Sequence, residues 1–245
     1  MQIDVRRYSS VTSTMDVALQ AAEDSAPEGL VICAEEQTAG RGRRGRTWAS
    51  PPGAGCYFSI VLRPPSNGPN GTLVLSLLTL MAGVAVRDAV ACASGVKTDL
   101  KWPNDLTINS RKLAGILAEG RALGTPQQSV VIGVGVNVLR ASYPADVADR
   151  ATSIETAGGR RVAPSVLLDA ILIALTEWYD RLRAGNADDI LRAWRERSPS
   201  ACGSAVELVG RGKRGITAGI DDSGALLVET DAGTERIIAG ELRWR

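Results

Sequence analysis

Residues 129–138 constrain the fold more than any other stretch. Ser129-Val-Val-Ile132, followed by Val134, Val136 and Val138, is largely β-branched, and a strand apolar on both faces has to be buried between two layers. The spacing around it predicts those layers. Helices are expected over about 15–25, 72–93, 165–183 and 186–196, with strands at Leu30–Ala34, Cys56–Leu62, Val96–Trp102, Leu106–Ile108 and Leu113–Glu119. Val166, Leu167, Ala170, Ile171, Ala174, Leu175 and Trp178 repeat at helical spacing, which gives the third helix one core-facing stripe.

From about residue 200 the pattern changes. Short runs at Ala205–Val209, Gly215–Ile220, Ala225–Glu229 and Thr234–Ala239 alternate with turns such as Asp221-Asp-Ser-Gly224, as in a small β-barrel or meander. The expected fold class is therefore α+β: a mixed-sheet body over 1–198 and a small barrel over 199–245.

Composition removes several chemistries. The chain has no histidine, so a Ser-His-Asp triad and imidazole-liganded metals are excluded. Cys33, Cys56, Cys92 and Cys202 form no C-x-x-C pair, and reduced, mostly buried thiols in a cytoplasmic protein are expected. Lys and Arg total 28 against 27 Asp and Glu, a balance that argues against wholesale binding to nucleic acid or membrane. The apolar run Thr72–Val86 stops at Arg87-Asp88, short of the roughly 20 residues a bilayer requires. It is read as a buried helix of a soluble protein. No signal-peptide pattern opens the sequence, and no helix-turn-helix is expected ahead of a first helix that begins near residue 15.

Gly40-Arg-Gly-Arg-Arg-Gly-Arg46 is the most unusual segment. Gly40, Gly42 and Gly45 satisfy G-x-G-x-x-G, as do Gly210, Gly212 and Gly215. A dinucleotide fingerprint must open a helix after its strand, and Thr47-Trp-Ala-Ser-Pro-Pro52 cannot start one promptly. At 210–215 a solvated hairpin turn is the better reading. At 40–46 the glycines allow close backbone approach and the guanidinium forks suit phosphate or carboxylate, although a solvated basic loop fits the same residues. Trp48 adds an aromatic face. Lys101-Trp-Pro-Asn-Asp105 ends a strand with an amide and a carboxylate, suited to a ribose or to phosphates bridged by magnesium or to a plain turn. Lys112 heads an apolar strand, as a reactive cation or an edge gatekeeper. Asn137 ends the central strand after Gly133-x-Gly135.

Together with Thr12-Ser-Thr14, Glu36-Gln37-Thr-Ala and Arg111-Lys-Leu-Ala-Gly-Ile-Leu117, these clusters resemble the biotin–protein ligases, specifically the short kind without a DNA-binding domain. The β-rich tail is similar to that family's SH3-like barrel. The resemblance implies ATP-dependent formation of biotinyl-5′-AMP and transfer of biotin to a lysine of a biotin carboxyl carrier domain. It implies no specific DNA binding, no membrane, and a magnesium ion accompanying ATP with no dedicated metal ligands. It assigns Lys112 and Arg43 to catalysis, and Ser13, Thr14, Met15, Gln37, Gly40, Arg41, Gly42, Arg43, Lys112 and Gly115 to biotin. Arg43, Trp48, Asn104, Asp105 and Asn137 fall to the nucleotide, with the Gly-Arg loop as a lid ordered by ligand. Met15 stands where the family often has Asn. A lipoate–protein ligase, or a regulator that binds nucleic acid through residues 40–46, would be the competing identities.

Overall fold

The computed structural model describes residues 1–65, 69–210, 212–238, 240 and 242–244. In chain order they form β1 (Asp4–Val11), α1 (Thr14–Glu23), β2 (Leu30–Gln37), β3 (Gly55–Leu62), α2 (Pro69–Ser94), β4 (Asp99–Lys101), β5 (Asp105–Ile108), β6 (Arg111–Arg121) and β7 (Ser129–Asn137). Then come α3 (Pro164–Arg183), α4 (Ala187–Glu196), β8 (Cys202–Leu208), β9 (Lys213–Ile220), β10 (Leu226–Thr230), β11 (Gly233–Ile237) and β12 (Leu242–Trp244).

The apolar run at 129–138 does become the middle of a sheet. The seven strands lie in the order β1-β2-β3-β7-β6-β5-β4, and β7 is buried at every residue but Gly133. The sheet is mixed: β1 runs parallel to β2, and the other neighbours are antiparallel. Its two faces are covered unequally. On one, α1 packs Met15, Ala18, Leu19 and Ala22 over Leu30, Ile32, Val61 and Val131. On the other, α2, α3 and α4 build the larger core around Phe58, Ile60, Ile132 and Val134. Helix α2 contains a span with mean hydropathy 1.8, long and apolar enough to cross a membrane, but 67% of it is buried inside the protein. It is a core helix.

Element boundaries differ from expectation where pairing overrides composition. Strand β2 continues past Ala34 to Gln37 because β1 pairs along it as far as Val11 opposite Gln37; two glutamates had disguised its end. The run Val96–Trp102 contracts to Asp99–Lys101, since Leu100 N–H bonds the carbonyl of Arg197 (2.7 Å) at the sheet's outer edge. Of the turn expected at 66–71, residues 66–68 lie outside the described residues, and α2 opens at Pro69. The cysteines divide evenly: Cys33 and Cys56 are buried, Cys92 and Cys202 exposed.

The tail is a five-stranded antiparallel sheet, β11-β10-β9-β8-β12, with one strand more than expected. The run drawn to Ala239 ends at Ile237, and Ala239 lies outside the described residues, as does Arg211 in the 210–215 turn. Val206, Leu208, Ile220, Leu226, Val228 and Ile237 belong to the same core as α2 and the main sheet. The β9–β10 turn presses on α2 so closely that a Cβ on Gly224 would fall 2.6 Å from Leu80.

Candidate active site

A cavity of about 730 Å³ runs across the main sheet, within the size range of sites for drug-sized ligands. Successive strands supply its wall in spatial order: Gln37 on β2, Ser59 on β3, Gly133 and Gly135 on β7, Lys112 and Gly115 on β6, Asp105 on β5 and Lys101 on β4. Neighbouring strands stand about 4.8 Å apart, so Lys112 lies roughly 14 Å from the β2 end and about 10 Å from the β4 end.

The β2 end is wired in advance. Ser13 caps α1, its hydroxyl accepting from Met15 N–H at 3.3 Å. Thr14 donates to Gln37 Oε1 through both N–H (2.8 Å) and Oγ1 (3.0 Å), and its hydroxyl also lies 2.9 Å from Ser59 Oγ. Gln37 Nε2 in turn donates to Ser50 Oγ at 2.8 Å. Such a network fixes each polar group before any ligand arrives. Met15 is buried beside it, with its methyl against the bare face of Gly133.

In the middle, Trp48 lies on a bed of glycine. Gly115 and Gly135 face each other across β6 and β7; a Cβ on Gly135 would come within 2.5 Å of the indole, and one on Gly115 within 3.1 Å. The indole Nε1–H is buried and meets no acceptor among the described residues, a donor available to a ligand. Lys112 Nζ sits 5.3 Å from the Trp48 ring centroid and 2.7 Å from Asp105 Oδ1. A bulge delivers it: Leu106 faces Ala114 but Thr107 faces Lys112, so Leu113 is extra, and an inserted residue re-aims its neighbours. Lys112 N–H also bonds Arg150 O at 2.8 Å.

The Gly-Arg loop is a folded hairpin. Gly42 N–H bonds Arg46 O (2.7 Å), Trp48 N–H bonds Gly40 O (2.9 Å), and Arg44 and Gly45 take left-handed φ values of 57° and 72°. Arg43 donates to Asn104 Oδ1 (3.0 Å) and to Gly240 O (3.4 Å), while Asn104 Nδ2 is held by Ile116 O (2.8 Å). Arg41 reaches Asp16 (2.6 Å) on α1 and forms an ion pair with Glu119 on β6. Gly40 stands apart from the other assigned residues: it borders a smaller hollow beside the main cavity, where a Cβ would fall 2.4 Å from Trp48 O. Asn137 Nδ2 donates to Thr152 O at 3.0 Å, tying the cavity's far wall to β7.

The charge is one-sided. Arg41, Arg43, Arg44, Arg46, Lys101, Lys112 and Arg150 line the cavity against a single carboxylate among the described residues, Asp105. In a chain of net charge +1, that concentration marks a site for anions. Several lining groups have no counterpart in the sequence reading, Ser59, Arg150 and Trp244 among them. Ser59 lies mid-strand in an apolar run, Arg150 in an irregular segment, and Trp244 on a three-residue strand of the tail. The alternation of β3 could have flagged Ser59; nothing local marks the other two.

The description "Biotin/lipoate A/B protein ligase family" matches residues 8–137, and "Biotin protein ligase C terminal domain" matches 202–242. The chain belongs to the biotin/lipoate ligase family. It is 35% identical over 241 residues to a bifunctional ligase/repressor of Bacillus spizizenii, an alignment covering 95% of this chain and 71% of that protein. It is 36% identical to a biotin–[acetyl-CoA-carboxylase] ligase of Mycobacterium tuberculosis, covering 98% and 88%. Among solved structures, the biotin protein ligase of Aquifex aeolicus in complex with biotin and ATP superposes with a TM-score of 0.82 at 28% identity, over 99% of this chain and 98% of that one. The ligase family accounts for the mixed sheet, the C-terminal sheet and the order of the motifs, and this member is an enzyme.

Proposed function

We propose that this chain is an ATP-dependent biotin–protein ligase with a catalytic body over residues 1–198 and a closing unit over 199–245. A carboxylate oxygen of biotin attacks the α-phosphorus of ATP. The bond from that phosphorus to the bridging oxygen breaks, pyrophosphate leaves, and biotinyl-5′-AMP remains. The amine of a lysine on a biotin carboxyl carrier domain then attacks the acyl carbon. The bond from that carbon to the phosphate oxygen breaks, AMP departs, and the amine proton passes to solvent. ATP and the carrier domain make the cytoplasm the expected location.

The observation that carries this reading is the order of groups across the sheet. A hydroxyl-and-amide end (Ser13, Thr14, Gln37) suits the ureido ring of biotin, with Met15 supplying apolar wall. Lys112 stands three strands further along, past Ser59 and the bare glycines of β7, where the biotin carboxylate and the α-phosphate would meet. Two anions repel before they react, so a lysine point charge and the Arg43 fork offset both the repulsion and the charge that develops. The rest is alignment on Trp48, Asn104, Asp105 and Asn137, with Gly42 and Arg41 over the ligand, and this needs no imidazole. A loop closed over the mixed anhydride keeps water from it.

Among the described residues, no group of three acids or thiols converges. Magnesium usually keeps several waters and binds through one or two carboxylates plus substrate phosphates. The residues present therefore fit an ion that enters on ATP, with Asp105 the carboxylate in reach; such an ion neutralises phosphate charge.

ATP–pyrophosphate exchange measured with biotin, with lipoate and with neither tests the reading. Exchange should depend on biotin without any acceptor. Exchange with lipoate and not with biotin would overturn it.

A further inference from the structure

Among the described residues, Lys101 is the one cation that β4 supplies to the cavity, two strands or about 10 Å beyond Lys112. Its direct neighbour across the ladder is Asp105, but that carboxylate is held by Lys112 at 2.7 Å. Among the described residues, Lys101 makes no ion pair. What it has is an aromatic face: its Nζ sits 5.1 Å from the ring centroid of Trp244, which β12 brings from the tail. The groups facing it are thus Asp105, Lys112 and Trp244. Burial, more than the opposing pull of Asp105, pushes its pKa below the usual lysine value, and Lys112 pushes it the same way. A half-buried cation whose facing carboxylate is already taken up by Lys112 costs free energy that an arriving anion would relieve.

The mounting is rigid. Trp102, next in the chain, is buried and donates its indole N–H to Gly224 O at 3.1 Å. Trp244 pairs with Val206 on β8. The tail therefore holds both Lys101 and its aromatic partner.

We infer that Lys101 binds the β- and γ-phosphates of ATP, the pyrophosphate that leaves, and that Trp244 is a positioning residue for it. This rests on the ligase reading above. If Lys112 marks the α-phosphate, a cation farther from the biotin end along the same line meets the phosphates that lie beyond it. A tryptophan face holds an ammonium in place without neutralising it, which leaves the charge for the ligand. The pyrophosphate is absent from the second half-reaction, so the assignment makes a split that a merely structural role would not.

The test uses the full chain with Lys101→Met, Lys101→Arg and Trp244→Leu. Biotin-dependent pyrophosphate exchange gives the KM for ATP and for pyrophosphate; transfer from pre-formed biotinyl-5′-AMP to a carrier domain is followed separately. Lys101→Met should raise the KM for pyrophosphate tenfold or more, with biotin affinity and transfer from the adenylate changed no more than twofold. Lys101→Arg should restore most of the loss, and Trp244→Leu should shift the same KM by a smaller factor. An unmoved pyrophosphate KM in Lys101→Met, or equal losses in exchange and transfer, would overturn the inference. If the unaltered chain shows no biotin-dependent exchange, the ligase reading fails first.

Discussion

Replacing Gly135 by alanine should disable adenylate formation without unfolding the protein. The glycine lies in β7 outside the left-handed region, so its backbone accepts alanine without strain. The added methyl would stand 2.5 Å from Trp48 Cε2 and Nε1 and 3.0 Å from Cζ2. Carbon contacts settle near 3.5–4.0 Å, so the ring has to retreat by about 1 Å. It cannot sink toward β6, because Gly115 already lies under its other edge, so close that a methyl there would come within 3.1 Å of the ring. Lys112 moves with it, since its Nζ rests 5.3 Å from the ring centroid. A displacement of about 1 Å at a reacting group costs roughly 100-fold in rate, and overpacking costs about 1–3 kcal/mol of stability. Biotin-dependent pyrophosphate exchange reads the first and urea unfolding the second. Gly83→Ala is the control: it lies on α2 with Leu100 Cδ2 at 3.3 Å and should leave exchange intact. A folded Gly135→Ala enzyme with exchange within threefold of the parent would show that the indole does not depend on this bed.

Lys112→Ala should lower exchange by about 2–4 kcal/mol of transition-state stabilisation, as oxyanion-donor deletions do, while thermal unfolding stays cooperative; near-normal exchange would reduce Lys112 to an edge residue. Asp16→Asn together with Glu119→Gln should speed tryptic cleavage after Arg43 or Arg44, because two exposed ion pairs of about 0.2–1 kcal/mol each hold Arg41 over the cavity mouth. A two- to tenfold increase is expected, and an unchanged rate would show that the hairpin holds itself. Asp221 should contribute acid-sensitive stability. Burial raises its pKa, but hydrogen bonds from Arg236, Ser223 and Ala225 outweigh that and hold it at about 2. Its contribution is therefore complete above the unfolded value near 4 and is lost as pH falls from there toward about 2; Asp221→Asn should flatten the fall in urea midpoint over that window. Met15→Asn should change biotin affinity by about tenfold or less, read by calorimetry, since Met15 supplies packing against Gly133; a thousandfold change would contradict that.

The site was more legible in the sequence than the fold's edges were. Glycine and arginine crowded into 40–46, and an amide and a carboxylate after Pro103, are unusual enough to point at a ligand on their own. The middle strand was readable because β7 is buried on both faces and its valines and isoleucine show it. What stayed hidden depends on pairing between distant segments. The end of β2 is held by β1 in spite of Glu35 and Glu36, and β12 is a strand only because Leu208 and Val206 lie alongside it. The bulge that aims Lys112 comes from a register offset between β5 and β6, which no single segment encodes. Arg41 was expected over the ligand; its grip on Asp16 and Glu119 joins residues 25 and 78 positions away.

The turn that seats Gly224 against Leu77 and Leu80 also governs how the molecule comes apart. Leu226, Val228 and Ile237 belong to the same buried cluster as α2, so the interior of the tail is continuous with that of the body and should melt with it. Calorimetry should record one transition for the whole chain, with van't Hoff and calorimetric enthalpies equal. A chain cut before β8 would leave the apolar side of α2 facing water and would be expected to aggregate. Inactivity in such a truncation would report the loss of a shared interior, and would carry no information about whether the tail touches nucleotide.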